Sequence, residues 1–196
     1  MSALILASGS QIRKTTLAST GVEFEVRPSR VDEDAIKQAQ GHLDPADIAC
    51  LLAAEKACEV SKTFPDHLVL GADQTMELDG QLLDKLPQRD LARQRLMSMR
   101  GKMHYLHSGL VLAKNGKPVW ELAESSKLYV RDFSDEFLDF YLENAGDELT
   151  ASVGAYAYEA LGAQLFDRVE GDFYSITGLP LLPLMAALRD FGVIRS

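Results

Sequence analysis

Cysteine is scarce in this chain. There are two, Cys50 and Cys58, in one helical stretch and eight residues apart. At about 1.5 Å of rise per residue they stand roughly 12 Å apart on a helix, beyond the reach of a disulfide. They read as free core thiols of a reducing compartment. Long apolar runs are missing too. None approaches the roughly 18 residues of a membrane span, and the N-terminus has no basic region or cleavage pattern of a signal peptide. A cytoplasmic protein with no membrane partner is expected. Positive charge is in deficit, with 20 Lys and Arg against 29 Asp and Glu and a formal net charge of −9. That balance excludes a general nucleic-acid binder, which needs basic patches for the phosphate backbone. It still allows a small anionic substrate in a locally basic cleft. The four histidines, His42, His67, His104 and His107, are scattered. With no HExxH and no CxxC, no zinc pattern forms. No GxSxG elbow points to a serine hydrolase and no Walker loop to a P-loop enzyme.

Apolar residues make up 46% of the 196, enough to build a core in one large domain or two small lobes. The most informative stretch is Leu4 to Lys14. Leu4-Ile5-Leu6-Ala7 reads as a short buried strand, Ser8-Gly9-Ser10 as a turn, and Ile12, Thr16 and Leu17 as one face of a helix. A Ser/Gly turn at a helix N-terminus presents backbone N–H groups to an anion. Ser8 and Ser10 add hydroxyls, and Arg13 adds a fork that matches phosphate oxygens. The same features also describe a capped helix with a surface arginine.

Val22–Val26 alternates as a strand, and Pro28 to Asp34 reads as a loop ending in Asp32-Glu33-Asp34. Asp44-Pro45 opens a helix to about Ser61. On its wheel Lys56 falls among Ala49, Leu52, Ala53 and Val60, so its ammonium either snorkels outward or meets an anion. Leu68-Val69-Leu70 is an apolar strand, with Gly71-Ala72-Asp73-Gln74 read as its end. Ligands in α/β sheets gather at such ends, although a turn aspartate can also cap its own backbone. A short strand, a hairpin turn at Asp79-Gly80 and Lys85 follow. A helix is expected over about 88–99, with Leu91, Ala92, Leu96 and Met99 inward. Strands near 102–114 and 118–130 are joined by Asn115-Gly116. Ser134 caps a helix, and Gly178-Leu179-Pro180 starts the last one, to about Phe191. The class is α/β or α+β.

What remains is oxygen chemistry, with Glu33 and Asp73 beside Arg13, Lys56 and Lys85. Carboxylates hold Mg²⁺ or Mn²⁺, and cations hold polyphosphate. Together they suit cleavage of a phosphoanhydride by water.

These stretches, with Glu55-Lys56-Ala57, Asp84-Lys85, Gly101-Lys102-Met103-His104, Gly154-Ala155-Tyr156 and Val169-Glu170-Gly171-Asp172, follow an order that resembles the Maf family of nucleoside triphosphate pyrophosphatases over about 1–191. The resemblance implies an α/β, Maf/ITPase-like fold: an elongated mixed β-sheet with flanking helices, one domain over 1–196 whose two lobes surround a central cleft. It also implies a divalent metal cofactor (Mg or Mn), a nucleoside triphosphate cut between its α- and β-phosphates, and a homodimer. The first motif, commonly Ser-x-Ser-Pro-Arg-Arg, is here Ser8-Gly9-Ser10-Gln11-Ile12-Arg13. Asp73-Gln74 stands for the usual Asp-Thr, Tyr158-Glu159-Ala160 for Ile-Gln-Gly, and Leu86 for the proline after the lysine. Gln74 and Glu159 look like the branch acting on 7-methyl-GTP, although that branch tends to carry tryptophan at Ile12.

The chemistry of the bases agrees with that branch. Guanine offers N1–H and N2–H₂ side by side, and an ionised Glu159 accepts both. The same carboxylate facing a pyrimidine carbonyl loses those bonds. The roles that follow are Asp73 as general base and metal ligand, and Glu33 as metal ligand with Asp32 as a weaker one. Ser8, Ser10, Arg13, Lys56 and Lys85 bind the phosphates, and Ile12, Gln74 and Glu159 sense the base. Two alternatives stay open: the same reaction on dTTP, UTP or another modified nucleotide, and a non-catalytic nucleotide-binding regulator of cell division.

Overall fold

A computed structural model describes residues 4–195. The N-terminal elements are β1 (Leu4–Leu6), α1 (Gln11–Ala18), β2 (Phe24–Val26), α2 (Glu33–Ala39), α3 (Pro45–Thr63), β3 (Leu68–Leu78) and β4 (Gln81–Leu83). Next come α4 (Ala92–Met99), β5 (Met103–Lys114), β6 (Lys117–Val130), α5 (Asp135–Asn144), α6 (Glu148–Ala151), β7 (Phe166–Glu170), α7 (Phe173–Ile176) and α8 (Leu181–Asp190). Seven strands form a mixed open sheet in the order β2-β1-β3-β5-β6-β7, with β4 paired to β3. This is the expected α/β class. No helix among the described residues is long and apolar enough to cross a membrane.

The chain divides into two compact units. The first holds Met1–Gln74, Ser108–Glu124 and Asp172–Ser196. Here β1 runs parallel to both β2 and β3, with Leu4 opposite Phe24 and Leu68, and Leu6 opposite Leu70. The unbroken apolar runs of β1 and β3 follow from burial on both faces. Leu4, Leu6, Leu68 and Leu70 pack with Leu17 of α1 and Leu184 and Leu188 of α8. On the other face Ile5, Ala7 and Val69 meet Val60 of α3.

Helix α3 lies close on the sheet because both sides are small. A Cβ built on Gly71 stands 2.0 Å from the Ala53 carbonyl oxygen and 2.8 Å from the Ala57 nitrogen. One built on Gly109 stands 2.4 Å from the Ala49 carbonyl oxygen. Gly71→Ala is therefore expected to push α3, and Lys56 with it, off β3. Overpacking of this kind costs about 1–3 kcal/mol; urea unfolding should show the lowered midpoint, and a wild-type midpoint would contradict this packing.

The second unit holds Thr75–His107 and Ser125–Gly171. β3 ends here in a hairpin with β4, whose turn residues Asp79 and Gly80 both have positive φ, as a type I′ turn requires. β7 pairs antiparallel with β6. Leu96, Met99, Leu128, Phe133, Leu138, Tyr141, Tyr156 and Leu165 are buried. His104 is buried as well, its Nε2 2.7 Å from the Tyr156 hydroxyl, and burial holds its imidazole down at about 3.

Several sequence expectations change. Leu68 to Leu78 is one strand, not two, because Met76 to Leu78 continue the ladder onto β4. Asp73 therefore sits within a strand, three residues past the register position where its parallel neighbour β1 stops. Asp32-Glu33-Asp34 is a helix start rather than a loop end: the Asp32 side chain accepts from the Ala35 N–H and caps α2. The helix expected over 88–99 opens with a 3₁₀ turn at Arg89–Leu91. That tighter turn changes the phase, and Leu91 is 39% exposed instead of inward. The last helix starts at Leu181, and β7 and α7 are elements the sequence reading did not assign.

Candidate active site

The first unit gathers most of the residues singled out above. Lys56 projects from the sheet-facing side of α3, where its neighbours on the wheel are buried. Its ammonium is not snorkelled outward. Nζ lies 2.6 Å from Asp73 Oδ1 and 2.7 Å from Glu33 Oε1. The Lys56 and Asp73 side chains are each 9% exposed, and Glu33, on the first turn of α2, is 45% exposed. One cation thus bridges two carboxylates from two elements.

Arg13 follows on α1. Its Nε donates to the Gly178 carbonyl at 2.9 Å, and Nη1 donates to the Ala72 carbonyl at 2.9 Å and the Ser8 hydroxyl at 3.4 Å. The guanidinium is thereby tied to the residue just before Asp73, and none of these bonds uses Nη2. Burial pulls the guanidinium below its ordinary value, while the charges of Asp73 and Glu33 work the other way. Ser8 is buried. Ser10 caps α1, its hydroxyl accepting from the Arg13 N–H at 3.5 Å. Ile12 is half-buried on the same helix.

Gln74 has partners that sequence reasoning missed. Its Nε2 donates to Ser108 Oγ at 3.1 Å, to the Ser175 carbonyl at 3.1 Å and to the Ile176 carbonyl at 3.2 Å. Two of these acceptors are carbonyls, so the nitrogen of the amide must face them. Ser108 Oγ also donates to the Ser175 carbonyl, at 3.1 Å. Asp172 Oδ1 accepts from the N–H groups of Tyr174 and Ser175, while Ser175 Oγ bonds to Asp172 and Glu124. The segment from Asp172 to Gly178, which supplies the carbonyl that holds Arg13, is thus fixed to β3 through Gln74. The sequence sign of this segment was the motif from Val169-Glu170-Gly171-Asp172 through Gly178-Leu179-Pro180.

Lys85 and Glu159 belong to the second unit. Lys85 is exposed in the loop after β4, where Arg95 holds the carbonyl of Asp84 at 3.2 Å. Glu159 is exposed in a turn, and its charge helps to raise the Glu148 carboxyl, second to burial.

No group of three or more His, Cys, Asp or Glu able to hold a metal occurs among the described residues. Asp73 and Glu33, both on the Lys56 ammonium, are two carboxylates, and the chemistry of such oxygen donors suits a hard cation. It fits Mg²⁺ or Mn²⁺ and not zinc.

Comparison with known proteins gives the family of the chain. The model of the Maf-like protein family matches residues 3–191. A nucleoside triphosphate pyrophosphatase of Maricaulis maris is 62% identical over 196 residues, covering 100% of both chains. One from Caulobacter vibrioides is 48% identical, covering 96% of each chain. A 7-methyl-GTP pyrophosphatase of Rhizobium meliloti is 43% identical over 194 residues, covering 97% of each. The chain belongs to the Maf family.

Proposed function

We propose that this chain hydrolyses the α–β phosphoanhydride of a nucleoside triphosphate, releasing the monophosphate and pyrophosphate, and that it prefers 7-methyl-GTP. The broader part, a nucleoside triphosphate pyrophosphatase, rests on full-length identity of 62% with a relative of that name. The observation that carries the mechanism is the Lys56 ammonium bridging Asp73 and Glu33. The Lys56 bond fixes the Asp73 carboxylate through Oδ1. Oδ2 then takes a proton from the attacking water as its oxygen bonds to the α-phosphorus and the bond to the leaving pyrophosphate breaks. Arg13, Lys56 and the hydroxyls of Ser8 and Ser10 offset the charge that develops on the phosphate oxygens. Asp73 and Glu33 would hold Mg²⁺ or Mn²⁺, which when bound neutralises phosphate charge. Lys85 is assigned to the phosphates by its Asp84-Lys85 motif.

The base preference rests on two acceptors. Glu159 presents a carboxylate to the two donors of the guanine edge. Gln74 has its amide nitrogen engaged, so Oε1 is the atom of that amide left to meet a base. An acceptor suits guanine donors and not the carbonyls of uracil or thymine. Relatives from Rhizobium meliloti and Bartonella henselae, 43% and 42% identical, bear the name 7-methyl-GTP pyrophosphatase. The test is a panel of triphosphates, with pyrophosphate read in Mg²⁺ and in Mn²⁺. Wild type is expected to have its highest kcat/KM on 7-methyl-GTP, and Glu159→Gln to lower that value about tenfold relative to UTP and dTTP, as the loss of a charge-assisted bond implies. Unchanged substrate ratios would remove Glu159 from specificity.

A further inference from the structure

The second unit contains a constellation that the pyrophosphatase reaction does not use. Glu77 on β3, His107 on β5 and Ser125 on β6 stand on three neighbouring strands. His107 Nε2 lies 3.0 Å from Glu77 Oε2, and His107 Nδ1 lies 2.7 Å from Ser125 Oγ. The His107 side chain is 9% exposed and that of Glu77 is 22% exposed, whereas Ser125 is open to solvent. The Tyr105 ring stacks on the imidazole at 5.5 Å between centroids, with an interplanar angle of 14°, and restrains its tilt.

The hydrogen-bond polarity follows from elementary chemistry. A carboxylate only accepts, so in the neutral imidazole the proton sits on Nε2 and faces Glu77. Nδ1 then carries a lone pair, and the Ser125 hydroxyl must donate to it. A serine whose proton points at a histidine that a carboxylate orients is the arrangement of an activated nucleophile. Lys127, two residues further along the same face of β6, is paired with Glu170 at 3.1 Å and stays out of this network.

We infer that Ser125 is a base-activated nucleophile that accepts the acyl group of activated carboxylic esters, with His107 as its base and Glu77 as the positioning residue. Ser125 Oγ attacks the ester carbonyl carbon while its proton passes to His107 Nδ1. The carbon–oxygen bond to the leaving alcohol or phenol breaks, that oxygen takes the proton, and an acyl ester remains on Ser125. Water, giving a proton to His107 Nδ1, then attacks the acyl carbon; the bond to Ser125 Oγ breaks, Oγ takes that proton back, and the carboxylic acid leaves.

The probe is p-nitrophenyl acetate, with release of p-nitrophenolate followed in the spectrophotometer and the adduct located by peptide mass mapping. Wild type should carry an acetyl group on Ser125, and Ser125→Ala should carry none while keeping its pyrophosphatase activity. His107→Asn should form the adduct about a hundredfold more slowly or worse. ¹⁵N NMR of the unmodified wild type supplies a measurement independent of any variant's folding. It should find the His107 proton on Nε2, and Glu77→Gln, whose amide can donate, should move it to Nδ1 and slow acylation. An acetyl group elsewhere, an equal rate in His107→Asn or a proton on Nδ1 in wild type would overturn the inference.

Discussion

Asp73→Asn is expected to lower kcat for pyrophosphate release by about a hundredfold or more while leaving KM within a few-fold of wild type. The substitution keeps the shape of the side chain and removes its charge and, with it, its ability to take a proton. The amide oxygen can still accept from Lys56, now 2.6 Å from Oδ1, and Glu33 still holds the other side of the same ammonium. Arg13 keeps its bonds to the carbonyls of Ala72 and Gly178. Phosphate binding should thus persist as the proton acceptor disappears, and the loss should fall on the chemical step. Steady-state kinetics separate the two parameters. A near-normal kcat would remove Asp73 from the mechanism.

Lys56→Met should be damaging in a different way. The methionine fills much of the same volume against Ala53 and Ala57 but leaves the Asp73 carboxylate, 9% exposed, without its cation. Breaking a buried ion pair from one side costs about 3–5 kcal/mol, because the remaining charge is neither hydrated nor paired. Glu33, at 45% exposure, keeps access to water and should add little to that loss. The double variant Lys56→Met with Asp73→Asn removes both charges and should recover much of the stability while remaining inactive. Urea unfolding of the two single variants and the double closes the cycle. A double variant no more stable than Lys56→Met alone would mean that the pair is not what holds α3 to β3 here.

Lys56 was also the position where the sequence said most. A lysine among Ala49, Leu52, Ala53 and Val60 has two outcomes, and the helical period that raised the question also aims Lys56 at the sheet, where Asp73 waits. Asp73 was legible for a reason that needed adjustment. The strand does not end there, but its parallel neighbour β1 stops three residues earlier in the register, so the carboxylate lies just beyond the carboxyl end of β1. Glu33 was picked out by its charge and missed as structure: three consecutive acids look like a solvated loop, yet the Asp32 cap makes them the first turn of a helix. Ser108, Ser175 and Ile176 were not legible as partners of Gln74. Two of the three bonds from that amide go to backbone carbonyls, and a carbonyl leaves no mark in a sequence.

Hydrolysis in H₂¹⁸O gives the most direct test of the central claim, that water attacks the α-phosphorus under the Asp73 carboxylate. Mass spectrometry of the products should find the heavy oxygen in the nucleoside monophosphate and unlabelled pyrophosphate beside it. Label in the pyrophosphate, or release of orthophosphate in its place, would contradict the claim.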